Sequence, residues 1–158
     1  MPTSASFLWI DQDASGLPFV DLLFERKGVG LVKCGSLVHA LKVIHGSAVE
    51  HRPCGILLDA AVPYGRDQAY DVLKGSEEAD GMDGLISGHR LFEVLPREQS
   101  AYWQKRTIVL SIFDEARLLN AGFKRLEIGL FIRKLDLEHP PIVDKFADRI
   151  ATIAHDDK

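Results

Sequence analysis

Three absences narrow the possibilities. The chain has only 2 cysteines in 158 residues, Cys34 and Cys54, too few for a disulfide scaffold. Both fall beside predicted strands, which implies buried, reduced thiols and a cytoplasmic protein. No basic tract is present and the formal net charge is -4, so neither direct nucleic-acid contact nor an anionic membrane surface is favoured. No apolar run approaches membrane-spanning length, and the N-terminus lacks a signal-peptide pattern. The six histidines show neither metal-ligand spacing nor an evident catalytic partner.

What is there is a rhythm of short apolar runs, each ended by a polar group. Phe7–Ile10 leads to Asp11, Gly55–Leu58 to Asp59, Thr107–Leu110 to Ser111, and Gly129–Arg133 to Lys134. Each run has the length of a buried parallel strand. A weaker strand, Gly30–Cys34, follows the first, and the fifth strand is read over Glu127–Arg133. Helical spacing predicts helices over Leu17–Lys27, from an N-cap at Ser36 to Gly46, over Gly84–Leu95, Asp114–Ala121 and Ile142–Ile153. Gly28 and Gly122 are read as stops, and Pro140 and Pro141 as the approach to the last helix. Five strands alternating with five helices predict one doubly wound, three-layer α/β domain over 1–158.

One stretch breaks the rhythm. Asp59 to Ser111 is far longer than the roughly 30 residues of a βαβ unit. The excess is read as an insertion at about 64–83, with a short amphipathic helix near Gln68–Leu73, and as a further loop over Pro96–Arg106 carrying Tyr102 and Trp103. Asp156–Lys158 reads as a frayed tail.

In an open α/β sheet, ligands bind at the carboxyl ends of the strands. The predicted fold therefore gathers Asp11, Asp59, Ser111 and Lys134 in one crevice, a set suited to a carboxylate that accepts a phosphoryl group beside Mg²⁺.

Phe7–Asp13, Leu57–Pro63, Thr107–Ser111 and Phe131–Lys134, in that order, resemble the receiver (CheY-like, flavodoxin-like topology) domain of response regulators in two-component signalling. The resemblance runs from about Ser6 to Ile153. It implies that Asp59 is the phosphoacceptor, Ser111 the hydroxyl and Lys134 the lysine of the site, and Phe131 the switch aromatic. It implies Mg²⁺ on Asp11, Asp59 and the backbone carbonyl of Ala61. It implies a histidine kinase or phosphotransfer protein as donor, a downstream protein target, no catalysis beyond self-dephosphorylation, and a homodimer through the last helices as one assembly open to it.

The chain departs from the family pattern at two places. Gln12 stands where the family has a second acid, so Gln12 or Asp13 is the alternative further metal ligand. Leu135 stands where a proline follows the lysine. These departures favour an alternative, a degenerate receiver that binds partners without phosphorylation. Two other readings are weaker. A haloacid-dehalogenase phosphatase would need an acidic pair beyond Lys134, and a flavodoxin-like electron carrier would need a Ser/Thr/Gly-rich phosphate loop after the first strand.

Overall fold

A computed structural model of the chain describes residues 5–12, 16–46, 52–62 and 87–156. Asp13, Pro63, the expected insertion at 64–83 with its Gln68–Leu73 helix, and the end of the tail lie outside the described residues.

The five apolar runs form one parallel sheet. Strand β1 is Ser6–Ile10, β2 Gly30–Cys34, β3 Gly55–Leu58, β4 Thr107–Ser111 and β5 Leu130–Arg133, in the spatial order β2-β1-β3-β4-β5. The order explains the composition of each run. In the central strands, every residue of β3 and β4 is buried, as are Phe7–Ile10 of β1. A strand covered on both faces is apolar throughout. The edge strand β2 exposes Gly30, Val32 and Lys33, and it was the weakest strand in the sequence.

Six α-helices are described: α1 Pro18–Arg26, α2 Leu37–Gly46, α3 Arg90–Val94, α4 Arg97–Lys105, α5 Glu115–Asn120 and α6 Pro140–His155. Their apolar stripes close two cores. Leu37, Leu41 and Ile44 of α2, Leu91 and Phe92 of α3, Trp103 of α4 and Leu118 of α5 cover one face of the sheet. Val20, Leu23 and Phe24 of α1 and Phe146, Ile150 and Ile153 of α6 cover the other. The result is the expected three-layer, doubly wound α/β sheet. Packing is tight at Gly55, where an added Cβ would come within 2.7 Å of the Phe7 ring and 2.8 Å of Ile153.

The expected punctuation largely holds. Ser36 caps α2 by accepting the His39 N–H at 3.1 Å, and Asp114 caps α5 by accepting the Arg117 N–H at 2.8 Å. Gly28 and Gly122 leave their helices at φ 68° and 101°, which glycine adopts without strain. Both cysteines are buried, and burial pushes the Cys34 thiol up to about 11, so it is protonated at neutral pH.

The second half differs from expectation in five places. Of the expected Gly84–Leu95 helix, residues 84–86 lie outside the described residues, and within 87–95 only α3 is helical, because the N–H groups of Ser87 and Gly88 both bond to the Ala60 carbonyl instead of starting a helical ladder. The loop expected over Pro96–Arg106 is mostly helix α4. It is polar outside, but it buries Trp103, and Ser100 donates to the Phe92 carbonyl at 2.8 Å. The expected strand over Glu127–Arg133 begins only at Leu130, since the Glu127 N–H is held by the Gln104 side chain and Ile128 closes a turn on Arg125. A 3₁₀ turn over Lys134–Glu138 follows β5 and was not expected. Finally, α6 starts at Pro140, with the prolines inside its first turn rather than before it.

Candidate functional site

Register places the two acids side by side. Ile10 of β1 pairs with Leu58 of β3, so Asp11 and Asp59 leave adjacent strands at the same level. The Asp11 N–H bonds to the Cys34 carbonyl and the Asp59 N–H to the Ile10 carbonyl, each at 2.9 Å. These two bonds continue the ladder one residue beyond the strands and fix where each side chain starts.

Lys134 enters from the other side. It opens the 3₁₀ turn at the end of β5, and its stem reaches back past the end of β4 to both carboxylates. Its ammonium donates to Asp11 Oδ2 at 2.8 Å and to Asp59 Oδ2 at 3.1 Å. Asp11 is 2% exposed and Asp59 8%, so this is a buried triad at the carboxyl end of the sheet. The remaining Asp59 oxygen, Oδ1, accepts the Ala61 N–H at 3.1 Å. Arg133 holds the 3₁₀ turn by pairing with Asp136 at 2.9 Å.

Charge does not balance in this triad. Two carboxylates share one ammonium, so full ionisation leaves one surplus negative charge out of bulk water. Burial raises the Asp59 carboxyl to about 6 against its ordinary 3.8, and the Asp11 charge adds to the rise. The Lys134 ammonium and the Ala61 N–H oppose it without cancelling it. For Lys134, burial works against the charge. Its hydrogen bond to Asp11 and the charges of Asp59 and Asp11 outweigh that penalty and hold it above the ordinary lysine range.

The donor set suits a hard divalent cation: two carboxylates, surplus negative charge and nearby backbone. Among the described residues, no group of three or more His, Cys, Asp or Glu is placed to hold a metal. Asp11 and Asp59 are two carboxylates, a number Mg²⁺ accepts when waters and phosphate oxygens complete its shell.

The other expected residues are placed as follows. Ser111 ends β4, 1% exposed, with Oγ accepting the Phe113 N–H at 3.2 Å. Phe131 lies opposite Val109 in the β4–β5 register and Ser111 lies opposite Arg133, so Phe131 and Ser111 share a face of the sheet. The Phe131 ring is half-buried, edge-to-face with Phe123 at 5.9 Å and under the Arg125 guanidinium at 5.6 Å. Gln12, next to Asp11 in the chain, is exposed. The structure thus brings Asp11, Asp59 and Lys134 into contact, with Ser111 at the same end of the sheet.

Two residues escaped the sequence reading. Ser87 and Gly88 pack directly on the backbone after Asp59. Their only signal was a small-residue pair at the end of the long excursion.

No family model matches the sequence, and no curated protein matches it. Solved structures do match the architecture over nearly the whole chain. A response regulator from Thermotoga maritima superposes with a TM-score of 0.57 at 14% identity, covering 96% of this chain and 98% of its own. The receiver domain of the Francisella response regulator 1452 gives 0.56 at 17%, covering 98% and 99%. This chain has the receiver fold. A two-component response regulator from Legionella pneumophila adds a TM-score of 0.58 at 18% identity, covering 94% and 97%. At such identities the likeness concerns the fold, and residue roles have to come from the site. In the receiver fold described here, the buried triad lies at the carboxyl ends of β1, β3 and β5, where open α/β sheets bind their ligands. Among the described residues no helix is long and apolar enough to cross a membrane.

Proposed function

We propose that this chain is a signalling receiver that takes a phosphoryl group onto Asp59 from a phosphohistidine or an acyl phosphate and passes the signal to a protein partner. The observation that carries the reading is Lys134 bridging Asp11 and Asp59 at the carboxyl end of the sheet. Phosphoryl transfer asks a protein for positioning and charge neutralisation more than for covalent chemistry. In the proposed step an Asp59 carboxylate oxygen forms the new bond to phosphorus. The bond to the donor breaks, and its electron pair leaves with the donor. Lys134 pairs with the phosphoryl oxygens as a point charge. The Ser111 hydroxyl, now an acceptor from Phe113 at the end of β4, would turn toward the aspartyl phosphate, with Phe131 on the same face of the sheet as the aromatic that responds. Asp11 and Asp59, with the Ala61 carbonyl, would hold Mg²⁺, which when bound neutralises charge on the transferring group.

One observation favours a second reading, a receiver fold used as a binding module without phosphorylation. Among the described residues the acid cluster holds two carboxylates, and the neighbouring Gln12, where the family has an acid, is exposed. Metal binding separates the two readings. Trp9 is fully buried on β1, two residues before Asp11, and the Trp103→Phe change makes it the sole tryptophan. Titrating MgCl₂ into that variant is expected to give a saturable change in Trp9 fluorescence, lost when Asp11→Ala is added. A flat titration would support the module reading.

A further inference from the structure

The turn that carries Asp59 is gripped by residues far along the chain. Val62 and Ser87 are 25 residues apart in the chain. At Ser87 the chain lands on the backbone it left. The N–H groups of Ser87 and Gly88 converge on the Ala60 carbonyl at 2.8 and 2.9 Å. Ser87 Oγ donates to the Val62 carbonyl at 2.5 Å. Ser87 is 1% exposed, and Ala60 and Val62 are fully buried, so these bonds form without competition from water.

Gly88 makes the closest approach. A Cβ there would lie 2.6 Å from the Asp59 carbonyl oxygen and 3.3 Å from Ala60 Cα. Both obstacles are backbone and cannot swing aside. Only glycine lets the returning chain lie against the Asp59 peptide.

We infer that Ser87 and Gly88 are positioning residues for Asp59, holding the Asp59–Val62 turn so that its carboxylate stays aimed at Lys134. The inference rests on the reading of Asp59 as phosphoacceptor. The Asp59 N–H is tied to Ile10, its Oδ1 to the Ala61 N–H and its Oδ2 to Lys134. The Ser87–Gly88 clamp fixes the peptides immediately behind that carboxylate, including the one that supplies the Ala61 N–H. A clamp on the backbone acts on geometry, so its loss misaims the nucleophile rather than removing a contact to the donor. Misplacement of a reacting group by a fraction of an ångström is enough to slow a step by about tenfold.

The test compares the whole chain as wild type, Ser87→Ala, Gly88→Ala and a core control, Leu118→Ala, which lies on α5 away from the turn. The first measurement is the ¹H–¹⁵N spectrum without metal or phosphodonor, following the Asp59 and Ala61 amides. The second is the maximal rate of phosphoryl uptake from acetyl phosphate with Mg²⁺, together with the half-saturating donor concentration. Gly88→Ala is expected to shift both amides and lower the maximal rate about tenfold, and Ser87→Ala about threefold, with half-saturation unchanged. Leu118→Ala is expected to lose stability while keeping the wild-type amide positions and rate. Wild-type amides and rates in the two turn variants would overturn the inference, as would an equal rate loss in Leu118→Ala. Should Gly88→Ala fail to fold, Ser87→Ala, which adds no atom, decides alone. Should the wild type take up no phosphoryl group, the phosphoacceptor reading fails. The amide arm then still shows whether Ser87 and Gly88 hold the turn.

Discussion

Replacing Lys134 with alanine is expected to slow phosphoryl uptake by roughly 100-fold, the usual cost of removing one preorganised group from a developing charge. The same change should destabilise the fold, because Lys134 bridges two buried carboxylates. Removing one member of a buried ion pair costs about 3–5 kcal/mol when the remaining charge is left stranded. Here a proton can relieve part of the cost, since Asp59 already binds one with a pKa of about 6. The net loss at pH 7.5 should therefore be about 2–3 kcal/mol. Its pH dependence has a definite sign. Without Lys134 the Asp59 carboxyl rises further, so the folded state holds a proton that the unfolded state has released. Stability of the variant then falls as pH rises through that window. Urea unfolding should show a smaller loss at pH 5 than at pH 7.5. Equal losses at both pH values, or uptake within twofold of wild type, would contradict the role given to Lys134.

Asp59→Asn should have the opposite effect on stability. In the folded protein the Asp59 carboxyl is raised from 3.8 to about 6. Below about 4 the group is protonated in both states and contributes no penalty. As pH rises from about 4 to about 6 the unfolded chain gives up this proton while the folded chain keeps it, so wild-type stability declines. Above about 6 the full penalty of the surplus buried charge is in place. Two pKa units correspond to about 3 kcal/mol. Asparagine keeps the shape and an acceptor for the Ala61 N–H or for Lys134, but its bond to the ammonium is weaker. A net gain of about 1–2 kcal/mol at pH 7 is expected, together with loss of phosphoryl uptake. In metal-free buffer the two proteins should converge near pH 4. A less stable Asp59→Asn at pH 7 would mean that Lys134 over-compensates the two acids, contrary to the charge balance described.

The same triad shows what could be read from the chain and what could not. The ends of β1, β3 and β4 were legible because strands buried on both faces are apolar throughout, so Asp11, Asp59 and Ser111 stand out as the first polar groups after each run. Lys134 was legible from its place after the apolar stretch Leu130–Ile132 of β5, an edge strand in which only Ile132 is buried. The parallel order then brings residues 123 positions apart, Asp11 and Lys134, into one ion pair, and strand rhythm alone implies that meeting. Helix α4 was hidden because it buries little besides Ser100 and Trp103, so its outward face reads as a polar loop. The 3₁₀ turn depends on Arg133 pairing with Asp136, a contact with no periodic signature. The Ser87–Gly88 clamp depends on backbone carbonyls, which sequence patterns do not display. Gln12 marks the limit of the resemblance. The motif gives it the place of an acid, and the structure leaves it exposed.

The most direct test of the central claim is intact mass after incubation with Mg²⁺ and a phosphodonor, for wild type and Asp59→Ala. Acetyl phosphate and a phosphorylated histidine phosphotransfer protein serve as separate donors. The account predicts a gain of one phosphoryl group in the wild type and none in Asp59→Ala. No gain from either donor, or an equal gain in both proteins, would contradict it.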